Sequence, residues 1–246
     1  MKVLDLFSGI GGFALGFDET KTLKTEQFVE INPFCQKILK QRWPLVPIHS
    51  DIETFTGTGF DVIVGGFPCQ DISVAGKGLG LAGQRSGLWS HFFRLIELNK
   101  PKYVVIENVK ALVSRGLQDV LEDLASVGYD AEWNNFPAAC FGLPQARERI
   151  WIVAYPCGHR ESGLITSQDI SEARQRWSSS EADLQSIVDF ATIGGESFPQ
   201  PLLRRVDDRP SDWAHRVTAC GNAVTPRITS MIAKAIEKDI TSIYTP

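Results

Sequence analysis

Hydrophobic and polar positions along the chain change period repeatedly. Short β-type runs at 3–7, 27–31, 46–49, 62–64, 103–107 and 150–153 alternate with segments at 13–17, 34–41, 88–98 and 117–126, where apolar residues recur at helical spacing. This alternation predicts a doubly wound α/β fold, a mostly parallel sheet with helices on both faces, because strands buried on both sides need near-continuous apolar runs. From Pro156 to about Asp212 the periodicity fades into Ser, Glu, Arg and Gln, apart from a short helical pattern at 182–190. A last amphipathic pattern at 228–240 sets Ile228, Ile232, Ala235 and Ile236 on one face. The expected division is a main unit at 1–155, a small lobe at 156–212 and a C-terminal segment at 213–246.

Composition narrows the picture. With 246 residues, 43% hydrophobic and 22% charged, the chain reads as an ordinary globular protein long enough for one large domain or one domain plus a small one. No window approaches the ~18 apolar residues of a membrane span, and Met1-Lys2 leads directly into a strand rather than a signal sequence, so an intracellular protein is expected. Cys35, Cys69, Cys140, Cys157 and Cys220 form no Cys-x-x-Cys pair, which argues against a disulfide framework. Cys157-Gly-His159 is the sole close Cys/His pair, too few ligands for zinc; no metal is expected. The net charge of −4 speaks against a generally basic nucleic-acid-coating protein, although a local basic cleft needs no basic total. Between Cys140 and Arg227 every Lys/Arg position is arginine, the side chain whose fork suits phosphates and guanine edges.

In an open parallel sheet, ligands bind outside the carboxyl ends of the strands, and unusual residues cluster at those ends here. The first strand runs into Asp5-Leu-Phe-Ser-Gly-Ile-Gly-Gly12, a glycine turn without the G-x-G-x-x-G spacing of a pyrophosphate-binding loop. Glu30 closes the second strand, where it could accept both hydroxyls of a ribose, and Asp51 follows the third, where it could accept from an adenine amino group. Together they suggest a nucleoside ligand without a pyrophosphate. Cys69 ends another strand beside Pro68, presented to the crevice rather than the core. Glu107 ends the next, in Val-Val-Ile-Glu-Asn-Val; burial there would raise its pKa toward service as a proton donor. Arg147 and Arg149 alternate before the 150–153 strand and so point to one side.

"DLFSGIGG", "GGFPCQDIS", "ENV", "QARERI" and "GNAV", in this order, resemble the hallmark blocks of the cytosine-5 DNA methyltransferases. The resemblance implies a Rossmann-like, S-adenosylmethionine-dependent fold acting on double-stranded DNA. By it, Cys69 is the nucleophile that adds to carbon 6 of cytosine, Glu107 serves ring N3, and Arg147 and Arg149 steady the ring carbonyl and a phosphate. The S-adenosylmethionine pocket would be shaped by Phe7, Gly9, Ile10 and Gly11, with Glu30 on the ribose, Asp51 on the adenine, Ile31, Ile52, Pro68 and Leu88 alongside, and Asn222 and Ala223 closing it. A target base would be flipped out of the duplex. Gln70, next to Cys69, and Ser73, Lys77 and Arg85, on a glycine-rich stretch at 73–87, are expected DNA contacts. The last helix would return beside the first strand, leaving 156–212 as a reduced target-recognition lobe in which Arg204, Arg205, Arg209 and Arg216 are further DNA candidates. Of the arginine- and leucine-rich block that supports this lobe in the family, "PLLRRVDDRPSDWAHRV" at 201–217 is at best a shortened stand-in. A cytoplasmic monomer of a bacterial or phage-infected cell is expected; a companion restriction endonuclease is not legible in the chain. Alternatives are a tRNA cytosine-5 methyltransferase, which typically carries a Cys-Phe-Thr tripeptide missing here, and a DNA-binding relative that needs a partner for activity. A nicotinamide-dependent dehydrogenase would need the missing pyrophosphate fingerprint.

Overall fold

The computed structural model describes residues 1–68, 87–143, 147–160, 163–178, 218–219 and 221–244. In chain order these form β1 (Lys2–Leu6), α1 (Gly12–Phe17), β2 (Lys24–Val29), α2 (Pro33–Arg42), β3 (Ile48–His49), β4 (Val62–Gly65), α3 (Leu88–Asn99), β5 (Tyr103–Val109), α4 (Leu112–Arg115), α5 (Leu117–Ser126), β6 (Tyr129–Pro137), β7 (Glu148–Pro156), α6 (Ser167–Ser178) and α7 (Pro226–Tyr244). The strands build a seven-stranded sheet in the order β3-β2-β1-β4-β5-β7-β6. Only β7 runs against the others, pairing antiparallel with both β5 and β6. The chain crosses between β1 and β4, so the crevice of the sheet opens at their carboxyl ends.

Residues alternate between the two faces of the sheet. Leu4, Ile63, Val104, Ile106 and Ile152 pack with Phe92, Phe93 and Ile96 of α3 and Val120 and Leu124 of α5 on one face. Val3, Val64, Val105, Trp151 and Val153 pack with Phe13 and Phe17 of α1 and Ile228, Ile232 and Ile236 of α7 on the other. Gly12 and Gly16 let α7 lie against α1: a Cβ on Gly12 would come 2.5 Å from the Val224 carbonyl, and one on Gly16 would collide with the Thr229 hydroxyl. That hydroxyl donates to the Gly12 carbonyl at 3.1 Å. The return of the last helix to the start of the chain is therefore built into two glycines.

Besides the one-turn α4, two longer elements were not announced by the pattern. β6 is an edge strand whose sequence, YDAEWNNFP, buries only Tyr129 and Phe136, so its apolar alternation is broken. α6, SQDISEARQRWS, packs Ile170 and Ala173 against the α7 side of the core and is flanked by ion pairs: Lys238 of α7 contacts Asp169 at 2.6 Å and Glu172 at 3.5 Å, and Glu19 receives Arg176 at 3.1 Å and Lys234 at 2.8 Å. Just before it, Asp239 accepts from Tyr103 Oη and Arg160 and meets His159 Nε2 at 3.0 Å. Residues 157–160 and 163–178 thus include anchors to α7; the remainder of the expected 156–212 lobe, including the 182–190 helical pattern, lies outside the described residues. Cys157 and His159 do not share a partner, since the Cys157 thiol donates to Asp130 at 3.4 Å. Among the described residues no group of acidic, His and Cys side chains could hold a metal, and no helix is long and apolar enough to cross a membrane.

Candidate active site

The first strand leaves the sheet through a strained turn. Phe7 takes a positive φ of 53°, rare for a residue with a Cβ, and Gly9 and Gly11 follow at 55° and 87°. The Gly9 amide donates to Glu30 Oε2 at 2.7 Å and the Asn32 amide to Glu30 Oε1 at 2.8 Å. The Glu30 backbone carbonyl accepts from Gln36 at 2.6 Å. Glu30 is therefore held where β1 and β2 end side by side, 8% exposed. Each carboxylate oxygen keeps lone-pair capacity beyond the one amide it accepts, as two ribose hydroxyls would require. Next to it Ile31 is left 74% exposed, an uncovered apolar surface at the crevice mouth. Ile10 differs: it is buried with Cys35, Ile38 and Ala219, against Phe34 and Ala223, so its side chain supports the turn.

Asp51 opens the irregular segment after β3, its Oδ1 accepting the Glu53 amide at 2.9 Å. Ile52 is buried in the main core, with Phe7 and Leu88 packed against that same cluster. Asn222 is exposed and Ala223 half-buried; Val224 abuts Gly12. The chain's C-terminal loop thus stands against the glycine turn.

Glu107 lies at the center of the second half of the crevice. The β5–β7 register sets Glu107 opposite Trp151 and Val109 opposite Arg149. Directly opposed residues share a face and next-but-one residues return to it, so Arg149 and Glu107 project together. Arg149 Nε stands 3.1 Å from Glu107 Oε1 and Arg147 Nη2 3.7 Å from the same oxygen. Arg147 also donates to the Gly221 carbonyl, linking the pair to the C-terminal loop. Burial, with Glu107 7% exposed, pushes its carboxyl above the ordinary range, and the two guanidinium groups only partly oppose this. Burial and the neighbouring Arg149 lower the Arg147 pKa in turn.

Sequence reasoning passed over three residues here. Gly66 faces Glu107 so closely that a Cβ would lie 3.0 Å from Oε2. Asn108 donates to the Phe67 carbonyl at 2.9 Å, tying the end of β4 to β5 just before Pro68, which is exposed. Asp5 is fully buried with no hydrogen-bond partner for either carboxylate oxygen. Burial first, then the Glu30 charge, holds its pKa well above the usual value, while the Ser8 hydroxyl donates to the Asp5 backbone carbonyl rather than to the carboxylate. The signal was present: a carboxylate inside an apolar strand is costly enough to demand an explanation. Cys69, Gln70, Ser73, Lys77, Arg85, Arg204, Arg205, Arg209 and Arg216 lie outside the described residues.

The sheet, reversed only at β7, thus carries a glycine turn and acidic strand ends on one side of the crevice and a buried Glu-Arg-Arg cluster on the other. Residues 1–200 match the family model of the C-5 cytosine-specific DNA methylases, and the chain belongs to that family. It is 38% identical over 239 residues to the Type II methyltransferase M2.BsuMI of Bacillus subtilis (strain 168), covering 91% of this chain and 57% of that protein. It is 40% identical over 161 residues to the Type II methyltransferase M1.ScrFI of Lactococcus lactis subsp. cremoris, covering 63% and 41%. The chain thus spans about half the length of the curated relatives it matches. Among solved structures, the Entamoeba histolytica methyltransferase EhMeth superposes with a TM-score of 0.63 at 15% identity, covering 98% of both chains. Dnmt2 of S. pombe does so at 0.57 and 21%, covering 70% of this chain and 55% of that one. At such identities these two speak for the fold.

Proposed function

We propose that this chain methylates carbon 5 of a cytosine flipped out of duplex DNA, using S-adenosylmethionine. The observation that carries the reading is the buried Glu107 flanked by Arg147 and Arg149, at the end of the strand next to the one leading into Pro68-Cys69.

The donor supplies an electrophilic methyl group, and the residues present suit it: Glu30 for the ribose hydroxyls, Asp51 for the adenine amino group, exposed Ile31 for an adenine face. The pocket assigned to it is that of Phe7, Gly9, Gly11, Glu30, Ile31, Asp51, Ile52, Pro68, Leu88, Asn222 and Ala223, with Ile10 behind the turn.

Carbon 5 of a resting cytosine is a poor nucleophile. The Cys69 thiolate forms a bond to carbon 6, and the electrons of the 5,6 double bond shift toward carbon 5 and the N3–carbonyl system. Glu107, kept protonated more readily by burial, donates to N3 and so accommodates that charge. Arg149 and Arg147 hold Glu107 in place and offer their remaining N–H groups to the ring carbonyl and the flanking phosphate. Carbon 5 takes the methyl group as the bond from that methyl to the donor sulfur breaks and S-adenosylhomocysteine is released; a base then removes the carbon 5 proton, and the freed pair re-forms the double bond as the Cys69 sulfur leaves carbon 6. Gln70, Ser73, Lys77 and Arg85 contact the DNA near the flipped base, and Arg204, Arg205, Arg209 and Arg216 contribute to a small recognition lobe. A cytoplasmic setting, monomeric action and pairing with an endonuclease, as the Type II names of the relatives suggest, belong to the same reading.

The test is a covalent trap. The protein is incubated with S-adenosylmethionine and a mixed-sequence duplex containing 5-fluorocytosine, whose carbon 5 fluorine cannot leave as a proton does. A denaturation-resistant complex mapped to Cys69 supports the reading. No complex from protein with demonstrated cofactor binding, while tRNA is methylated in parallel, overturns the choice of acceptor.

A further inference from the structure

The segment after β3, residues 50–61, contains no regular strand or helix, yet it must hold Asp51 steady if that carboxylate is to select a base. Its own short bonds make only a turn: Glu53 N to Asp51 Oδ1 at 2.9 Å, Thr54 Oγ1 to the Asp51 carbonyl at 3.2 Å, and Thr54 Oγ1 with His49 Nε2 at 2.9 Å. The external tie comes from α3. A single terminal nitrogen of Arg94, Nη2, donates to the Ile52 carbonyl at 3.0 Å and the Phe55 carbonyl at 2.9 Å. Two carbonyls gathered on one charged donor close the chain between them more firmly than neutral bonds would. We propose that Arg94 is a positioning residue for adenine recognition, setting the Asp51–Phe55 turn so that Asp51 meets the exocyclic amino group; this rests on the reading of Asp51 given above.

Arg94 acts locally because the rest of the segment has other anchors. Phe55 is 7% exposed, with its ring 5.3 Å from the His49 ring and 6.4 Å from that of Phe60. Asn99, also on α3, donates to the Gly57 carbonyl at 3.2 Å and accepts from the Phe60 amide at 3.2 Å. Without Arg94 the body of the segment stays docked while the turn bearing Asp51 loses its clamp. The same helix carries Leu88 in its first turn, so α3 places two parts of the pocket wall at once.

The experiment compares the binding of S-adenosylhomocysteine with that of its hypoxanthine counterpart, which lacks the amino group, by calorimetry on the full chain. Wild type, Asp51→Asn, Arg94→Gln, Arg94→Lys and Asn99→Ala are measured alongside their melting temperatures. Arg94→Gln is expected to bind S-adenosylhomocysteine about fivefold more weakly and to lose most of the preference for adenine over hypoxanthine, with Asn99→Ala keeping that preference. If Arg94→Gln is not folded, Arg94→Lys carries the same expectation, since an ammonium on a flexible stem does not reproduce the planar fork. An Arg94 variant that retains the wild-type preference while Asp51→Asn loses it overturns the proposal and leaves the adenine assignment standing. An unchanged preference in Asp51→Asn overturns the assignment, and the proposal with it.

Discussion

Arg149 and Glu107 meet at 3.1 Å because β7, alone among the strands, runs backward beside β5 and so brings the start of one strand to the end of the other. Had β7 been parallel, its first residues would lie at the opposite end of the sheet from the crevice. The buried carboxylate is thereby given two cations without either arginine being near it in sequence.

Replacing Glu107 by Gln should lower the single-turnover methylation rate by about 10²- to 10⁴-fold, the usual range for removing a general acid, with DNA affinity changed little. Rapid quench with a labelled donor, next to a DNA-binding titration, measures both.

The same substitution tests the electrostatics. The folded-state pKa of Glu107 is raised, so its favourable contribution is fully present below the ordinary carboxylate range near ~4.3 and is lost as the pH climbs through the raised value. The stability of Glu107→Gln relative to wild type should therefore increase between pH 4 and pH 8. Denaturant unfolding at both pH values reads this; a difference that shrinks with rising pH would contradict the direction of the shift.

Gly66→Ala should impair catalysis more than stability. The added methyl would stand 3.0 Å from Glu107 Oε2 and 3.2 Å from the Glu107 carbonyl, so the carboxylate must move. A fall in kcat of about tenfold or more, at a melting temperature within a few degrees of wild type, is the expected pattern.

Glu30→Ala should weaken cofactor binding and also loosen the turn, because the Gly9 and Asn32 amides lose their acceptor. Glu30→Gln separates the two: one amide acceptor survives while the charge is lost, so a smaller but definite loss of S-adenosylhomocysteine affinity is expected by calorimetry. Wild-type affinity in both variants would remove the ribose assignment.

Far from the crevice, Tyr103→Phe should destabilise the fold by about 1–3 kcal/mol with methylation intact. It deletes the hydroxyl that donates to the buried Asp239 at 2.5 Å, leaving His159 and Arg160 as that carboxylate's partners. Urea unfolding and an activity assay decide it.

Much was legible in the chain because its signals are local. The Gly9 and Gly11 turn, the acid at Glu30, the acid at Glu107 and the apolar runs before them are each properties of a few consecutive residues, and all fall where strands end. β6 and α6 were not legible: an edge strand need bury only part of one side, and α6 sets just Ile170 and Ala173 against the core among exposed charges, too short an apolar stripe to read as a period. Sequence by itself determined which chemistry-bearing residues stand at strand ends, since period and turn residues decide where a strand stops. Tertiary structure alone decided which ends face one another: the reversal of β7 that joins Arg149 to Glu107, the close approach of Gly66, the clamp of Arg94 on the Asp51 turn, and the isolation of Asp5. Those are contacts between segments distant in sequence, and their energies arise only when packing removes water from both partners at once.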